Sequence, residues 1–239
     1  GQEFLVFYQP IVELRSGTLS GFEALVRMRR PDGSLVPPGE FIPLTEETGL
    51  IVHIGRNVLI EACRQMRAWQ LSYPEHPPLQ VSVNLAGRQF IQPDLTAQIE
   101  AALQESGLDS RSLKLEVTET LIMAHAEAAA TVLEQLRGLG VKLLMDDFGT
   151  GYSSLSYLHR FPVNTLKIDA SFVRRMDVDR KEADIIQTIV TLGHSLGMDL
   201  IAEGIENQEQ RAQLQALGVE YGQGYYFAQP LAASAAEQL

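Results

Sequence analysis

The residues able to do chemistry in this chain stand at or just beyond the ends of β-type runs. In order they are Glu23, Asn84, Glu116 and Glu119, Asp146-Asp147, Lys167 and Asp169, Glu203 and Glu206, and Gln223. One carboxylate in such a place is usually a helix cap or a loop residue. Recurrence at one strand end after another points to a shared site. Glu23, Glu116, Asp146, Asp147 and Glu203 would then crowd like charges within a few ångströms, which raises pKa values unless something neutralises them. Divalent cations do so, and oxygen donors without Cys or paired His favour Mg²⁺ or Mn²⁺ over zinc. The adjacent Asp146-Asp147 pair suits two ions, because one carboxylate can bridge them while its neighbour ligates one. Two ions about 3.5–4 Å apart form a clamp for in-line attack on a phosphodiester. Lys167 fits beside the scissile phosphate as a point charge for the transition state. Its purely structural alternative is an interior lysine paired with Asp169.

Other chemistries lack their residues. His53, His76, His125, His159 and His194 are scattered, with no H-E-x-x-H arrangement. Cys63 is alone, which excludes an internal disulfide and a cysteine zinc site and suits a reducing compartment. No Gly-x-Ser-x-Gly elbow is present, so acyl transfer of the α/β-hydrolase type is unsupported. The stretch from Asp147 through Gly149 and Gly151 to Tyr152 lacks the Gly-Lys-[Ser/Thr] ending of a Walker loop. It reads as a mobile loop with a metal ligand at its root.

The elements that must hold these residues follow from hydrophobic periodicity. Phe4–Tyr8 and Leu19–Val26 read as strands joined by the tight turn Arg15-Ser16-Gly17-Thr18, a connection too short for anything but an antiparallel pair. A short helix is expected near Phe41–Thr48. A longer amphipathic one follows, with Ile51, Ile54, Val58, Ala62, Met66 and Trp69 on one face. Strands are then predicted at Leu79–Leu85, Leu113–Val117, Val141–Met145, Thr165–Ile168, Leu200–Ala202 and Val219–Tyr221. Helices at Leu95–Glu105, Glu127–Leu139, Ala183–Leu196 and Gln208–Leu217 alternate with them, closed by Gly107, Gly140, Gly197 and Gly218. The fold class is α/β, and the rhythm and length match a (βα)₈ barrel, typically ~250 residues long. A doubly wound open sheet is the alternative. Polar residues gathered at the strand ends favour the barrel, whose C-terminal face carries its active sites.

Composition sets the outer bounds. The 239 residues include 19 Lys+Arg against 30 Asp+Glu, a formal net charge of −11, with 45% hydrophobic and 21% charged residues. These are the proportions of an ordinary globular chain. The acidic balance argues against duplex nucleic acid as a partner. No apolar run reaches the roughly 18 residues of a membrane span, so no membrane contact by this domain is expected.

Glu23-Ala24-Leu25-Val26-Arg27 resembles the signature of the EAL-domain cyclic di-GMP phosphodiesterases of bacterial signalling. The resemblance runs from about Phe4 to Leu231. It includes Phe7-Tyr8-Gln9-Pro10-Ile11, Ser82-Val83-Asn84, Glu116-Val117-Thr118-Glu119, Asp146 to Gly151, Lys167-Ile168-Asp169, Ala202 to Glu206 and Gln223-Gly224-Tyr225. It implies a modified TIM (βα)₈ barrel with an antiparallel first strand, residues 1–239 forming a single EAL-type phosphodiesterase domain. It also implies hydrolysis of cyclic di-GMP to linear pGpG with two Mg²⁺ or Mn²⁺. By similarity, Glu23, Asn84, Glu116 and Asp146 would hold one ion, and Asp146, Asp147 and Glu203 the other. Lys167 would bind the attacking water and the phosphate, and Glu119 would brace the loop after Asp147. Asp169, Glu206 and Gln223 would order ligands and waters. Arg27 would meet a substrate phosphate, with Gln9 and Leu25 lining the ligand site. Asn207 stands where relatives often carry Thr, and either can cap the next helix.

The resemblance also implies a homodimer, neighbouring sensory or GGDEF-type domains in a longer protein, and a cytoplasmic location, with any membrane anchor outside this segment. Rival functions are a non-catalytic cyclic di-GMP receptor, an enolase-type proton abstractor and a silent structural partner. The retained carboxylates and Lys167 favour catalysis. Ca²⁺ prefers more and longer oxygen contacts than Mg²⁺ and is expected to inhibit.

Overall fold

A computed structural model describes residues 3–124, 126–150, 158–176 and 180–239. The sequence-predicted loop beyond Thr150 and His125 lie outside the described residues. β1 (Glu3–Glu13) and β2 (Leu19–Arg29) form the expected hairpin, longer than the apolar runs alone suggest. Its turn is closed by Glu13 N donating to Thr18 O at 2.9 Å and Gly17 N to Glu13 O at 2.8 Å. After a two-residue β3 (Leu35–Val36) come α1 (Pro38–Thr48) and α2 (Leu50–Ser72).

Strand and helix then alternate through β4 (Gln80–Asn84), α3 (Gly87–Phe90), α4 (Leu95–Ser106), β5 (Leu113–Thr118), α5 (Glu119–Ala124), α6 (Ala126–Gly138), β6 (Lys142–Phe148) and β7 (Thr165–Ile168). The chain continues with α7 (Ala170–Arg175), α8 (Arg180–Ser195), β8 (Asp199–Ala202), α9 (Gln208–Leu217), β9 (Tyr221–Gly222), β10 (Leu231–Ala232) and α10 (Ala233–Ala236). Asn207 caps α9, its side chain accepting from Gln210 N at 2.8 Å.

β2, β4, β5, β6, β7, β8 and β9 pair in parallel, and β1 closes the ring antiparallel to both β9 and β2. The result is a barrel, not an open sheet. β3 and β10, absent from the sequence reading, are short antiparallel additions to β2 and β1. Two-residue strands carry too little periodicity to be seen in a sequence.

Side-chain alternation divides each strand between two environments. Val81 and Val83, Leu113, Leu115 and Val117, Leu143 and Met145, Leu166 and Ile168, and Leu200 and Ala202 belong to the main core with the helices. From α2 come Ile54, Val58, Leu59, Ala62, Cys63, Met66 and Trp69. Cys63 is a packing residue there, its thiol pushed up to about 12 by burial. On the alternate positions Ile11, Leu144 and Ile201 form a separate apolar cluster with Tyr221. Two residues on from Leu144 and Ile201 lie Asp146 and Glu203, and two residues before Ile11 on the antiparallel β1 lies Gln9. An apolar layer inside the barrel thus underlies the polar one. No helix among the described residues is long and apolar enough to cross a membrane.

The β2–β4 contact is especially close. Gly21 pairs with Gln80, and a Cβ on Gly21 would stand 2.2 Å from Gln80 O. Backbone cannot swing away as a side chain would. Gly21→Ala is therefore expected to destabilise the fold by about 1–3 kcal/mol, the usual cost of overpacking, read by chemical denaturation. A change within about 0.5 kcal/mol, as at an indifferent surface site, would contradict this packing.

Candidate active site

Lys167 is the centre of the mouth. Thr165–Ile168 is a short, wholly buried strand, and its alternation turns Lys167 inward to 0% exposure. The ammonium lies 2.6 Å from Glu203 Oε1, 2.7 Å from Glu116 Oε2, 3.0 Å from Glu23 Oε2 and 3.7 Å from Asp146 Oδ1. These come from β8's end, β5, β2 and β6. Lys167 is thus paired with four carboxylates, and Asp169 is not the partner that a simple interior ion pair required. Asp169 instead caps α7, accepting from Ser171 N at 2.9 Å.

Amides complete the ring. Asn84 donates to Glu23 Oε1 at 2.7 Å, and Gln223 donates to Glu23 Oε2 at 2.5 Å and to Gln9 Oε1 at 2.9 Å. Gln9 in turn donates to Ala228 O at 3.1 Å, tying the segment before β10 to the site. Arg27 and Leu25 are half-buried further along β2. The Arg27 guanidinium lies 6.0 Å from the Phe7 ring centroid.

The Asp146-Asp147 pair needs irregular backbone, since consecutive strand residues normally face opposite ways. The β6–β7 register shifts between Met145 and Phe148, and Asp147 adopts φ 56°, rare for a residue other than glycine. The Asp147 N–H donates to Asp146 Oδ1 at 2.9 Å. Just beyond, Glu119, buried at the start of α5, accepts from Gly149 N at 2.9 Å. This contact fixes the backbone that leaves Asp147.

One ammonium facing four carboxylates leaves negative charge in excess, and the pKa values register it. Burial pushes Glu116 well above the carboxylate range, with Glu23 adding to it and Lys167 opposing. Burial raises Asp146 and Asp147 too, reinforced by neighbouring carboxylates. Glu203 is raised to about 7 by burial, against the pull of Lys167. Glu23 behaves oppositely: burial would raise it, but Lys167, Gln223 and Asn84 together hold it below its ordinary value. Burial would lower Lys167, yet the carboxylates hold it well above the usual lysine value.

These residues fit divalent cations. All donors are hard oxygens, and Glu116 Oε1 is buried with no hydrogen-bond partner among the described residues. Among those residues no group of three or more His, Cys, Asp or Glu already stands as a metal cage. Glu23, Asn84, Glu116, Asp146, Asp147 and Glu203 are the side chains that would re-aim toward ions.

Beside this cluster lies a cavity of about 200 Å³ lined by Gln9, Arg174, Glu203, Glu206, Gln223 and Tyr225, among others. Sequence reasoning assigned nothing to Arg174 or Tyr225. Arg174 lies four residues after Ala170, which also lines the cavity, so one helical face of α7 points to the mouth. Inspecting the first turns after each strand, and not only strand ends, would have found it. A larger surface depression on α6, lined by Ala130, Thr131, Glu134 and Gln135, contains none of the predicted site residues.

The raised carboxyls set a pH dependence. Glu116, Asp146, Asp147 and Glu203 bind protons more tightly folded than unfolded, so stability falls as pH rises from the unfolded carboxylate range through the folded pKa. For Glu203 that window runs from 4.5 to about 7. The chelator-treated protein should lose melting temperature across it, and Mg²⁺ or Mn²⁺ should restore more at pH 8 than at pH 5. A melting temperature that rises through the window without cations would contradict the assignment.

The sequence matches the EAL domain family over residues 1–230. It is 43% identical over 232 residues to the bifunctional diguanylate cyclase/cyclic di-GMP phosphodiesterase MucR of Pseudomonas aeruginosa, covering 97% of this chain and 34% of that protein. Among solved structures, the MucR phosphodiesterase in complex with c-di-GMP superposes with a TM-score of 0.94 at 42% identity, covering 98% of this chain and 94% of the other. The calcium/cy-diGMP complex of Klebsiella pneumoniae BlrP1 gives 0.82 at 30% identity, covering 95% and 56%. The chain spans about a third of the length of the curated relatives it matches, at 33%, 29% and 34% for three of them. With its signature at Glu23–Arg27, its closed barrel and its carboxylate-ringed lysine at the mouth, this chain belongs to the EAL domain family.

Proposed function

We propose that this chain hydrolyses cyclic di-GMP to linear pGpG, supported by two Mg²⁺ or Mn²⁺. The observation that carries this reading is Lys167 ringed by Glu23, Glu116, Asp146 and Glu203, with Asp147 adjacent. Relatives and superposing structures named for cyclic di-GMP hydrolysis or binding support the substrate. Glu23, Asn84, Glu116, Asp146, Asp147 and Glu203 would hold the ions. When bound, divalent cations neutralise the phosphodiester and make water a better nucleophile.

The chain's own residues supply the remaining steps. Water oxygen bonds to phosphorus, the P–O3′ bond breaks, and the 3′ oxygen takes up a proton. Lys167, charged throughout the neutral range, donates a hydrogen bond to the phosphate as negative charge builds on its oxygens. Glu203, partly open to the cavity, is counted among the ion ligands, and the proton that water loses passes to solvent. Glu119 positions Asp147 through Gly149, and the Gln9–Gln223 pair orients Glu23. Arg27 would hold a phosphate oxygen of the substrate.

Longer relatives, a bifunctional cyclase/phosphodiesterase and an oxygen sensor protein among them, support adjoining cyclase or sensory domains; a homodimer and a cytoplasmic setting are further parts of the proposal. The test is incubation with Mn²⁺ and cyclic di-GMP followed by nucleotide separation. Appearance of pGpG is expected, and binding without cleavage would favour a receptor. Asp146→Asn, nearly isosteric, should lower kcat by more than about a thousand-fold, as for loss of a residue that acts only with its partners. Its thermal unfolding should stay cooperative. A loss of only about ten-fold would contradict this role for Asp146.

A further inference from the structure

Two lysines are buried among the described residues, Lys167 at 0% exposure and Lys114 at 5%. Lys167 is met by carboxylates on several sides. Lys114 has no ion pair and no hydrogen bond among the described residues, and its ammonium lies 5.6 Å from the Tyr221 ring centroid. An aromatic face offsets the burial of a charge less than an opposite charge does. Lys114 is therefore a buried donor suited to an anion.

The residues beside Lys114 add to that demand. In the barrel register Lys114 stands next to Ser82 of β4 and Lys142 of β6. Register neighbours on adjacent strands point to the same face, about 4.8 Å apart. That face is the barrel interior, because Glu116 and Leu144 follow two residues later on the same alternation. Lys142 is half-buried and likewise has no ion pair or hydrogen bond among the described residues. Its charge bears on Lys114 more strongly than that of Asp199 or Glu116. Like charges side by side on a sheet are destabilising. Ser82 is 1% exposed, and its Oγ is buried with no hydrogen-bond partner among the described residues. A hydroxyl and two ammoniums thus stand in a row across three strands. Lys142 precedes Leu144 of the apolar layer, so the row runs away from the mouth toward the N-terminal end of the barrel.

We infer that Ser82, Lys114 and Lys142 bind a small oxyanion of the phosphate class inside the barrel, at the end away from the catalytic mouth. A tetrahedral oxyanion offers separate oxygens to three donors, and a dianion balances two ammoniums. Glu13, Asp199 and Glu220 stand at the same end, their charges reaching Tyr221. They repel a long polyanion and restrict the occupant to a small one. Without cations the mouth is a poor competitor for phosphate, since carboxylates there outnumber the one ammonium. The site is independent of the hydrolytic reading.

The test titrates inorganic phosphate into cation-depleted protein, by calorimetry and by melting temperature, against sodium chloride of equal ionic strength. The wild type should bind phosphate saturably and melt higher with it. Lys114→Met and Lys142→Met should each weaken phosphate by about ten-fold or more, the scale of a hydrogen bond to a charged group, and Ser82→Ala by less. In phosphate-free buffer Lys114→Met should melt higher than the wild type, because an apolar chain of similar length replaces an unpaired ammonium. Phosphate should narrow that gap. Lys142→Met, at a half-exposed position, keeps the phosphate comparison available if Lys114→Met does not fold. Glycerol phosphate separates two sources of the ligand: binding as tight as phosphate assigns the site to a phosphate group on a larger molecule, and binding of phosphate alone assigns it to the free ion. No saturable binding, or unchanged phosphate affinity in the lysine variants, overturns the proposal. So does a folded Lys114→Met that melts lower than the wild type without phosphate, matched by an equal loss in Asp199→Asn, which would make Asp199 the internal counter-ion.

Discussion

A lysine with no exposure, surrounded by carboxylates from separate strands, is the interaction on which the mouth of this barrel depends. Each carboxylate alone would be costly to bury charged. Lys167 satisfies Glu116, Glu203 and Glu23 within 3.0 Å and reaches toward Asp146 at 3.7 Å. The compensation is incomplete, because four acids share one base. Glu23 is favoured in its ionised form by two amides as well as by Lys167, while Glu116 and Glu203 are pushed the other way. This asymmetry is a consequence of placement. Asn84 and Gln223 both donate to Glu23.

The rest of the fold serves that arrangement. The antiparallel β1 brings Gln9 beside Glu23 in register, and Gln9 links Gln223 to Ala228. The Ile11, Leu144 and Ile201 layer seals the barrel beneath the site. A register shift in β6 and a left-handed Asp147 allow consecutive aspartates to serve one mouth, and Glu119 secures the backbone that follows. Backbone strain there is retained because the surrounding contacts over-determine it.

Much of this was legible in the sequence because barrel topology converts chain position into spatial position. A polar residue ending a β run is placed at the C-terminal mouth by the fold itself, so Glu23, Glu116, Asp146, Lys167 and Glu203 could be grouped without coordinates. The tight Arg15–Thr18 turn likewise dictated the antiparallel start. The direction of each hydrogen bond was not legible. Asp169 looks from sequence like a partner for Lys167, yet it caps α7, because an N-terminal backbone donor lies nearer to it. Arg174 escaped notice because it does not end a strand, and Tyr225, quoted within its motif, was given no role, since exposure at a rim has no periodic signature. β3 and β10 are too short to show alternation.

The central claim is that the mouth holds surplus carboxylate charge, partly protonated near neutrality and available to divalent cations. Calorimetric titration of the cation-depleted protein with Mn²⁺, in buffers of different ionisation enthalpy, counts the protons released on binding. Near pH 6.5 the raised carboxyls should release protons as cations bind, with clearly fewer released at pH 8.5, where Glu203 is already ionised. Binding with no proton release at pH 6.5, or with the same release at both pH values, would contradict the account.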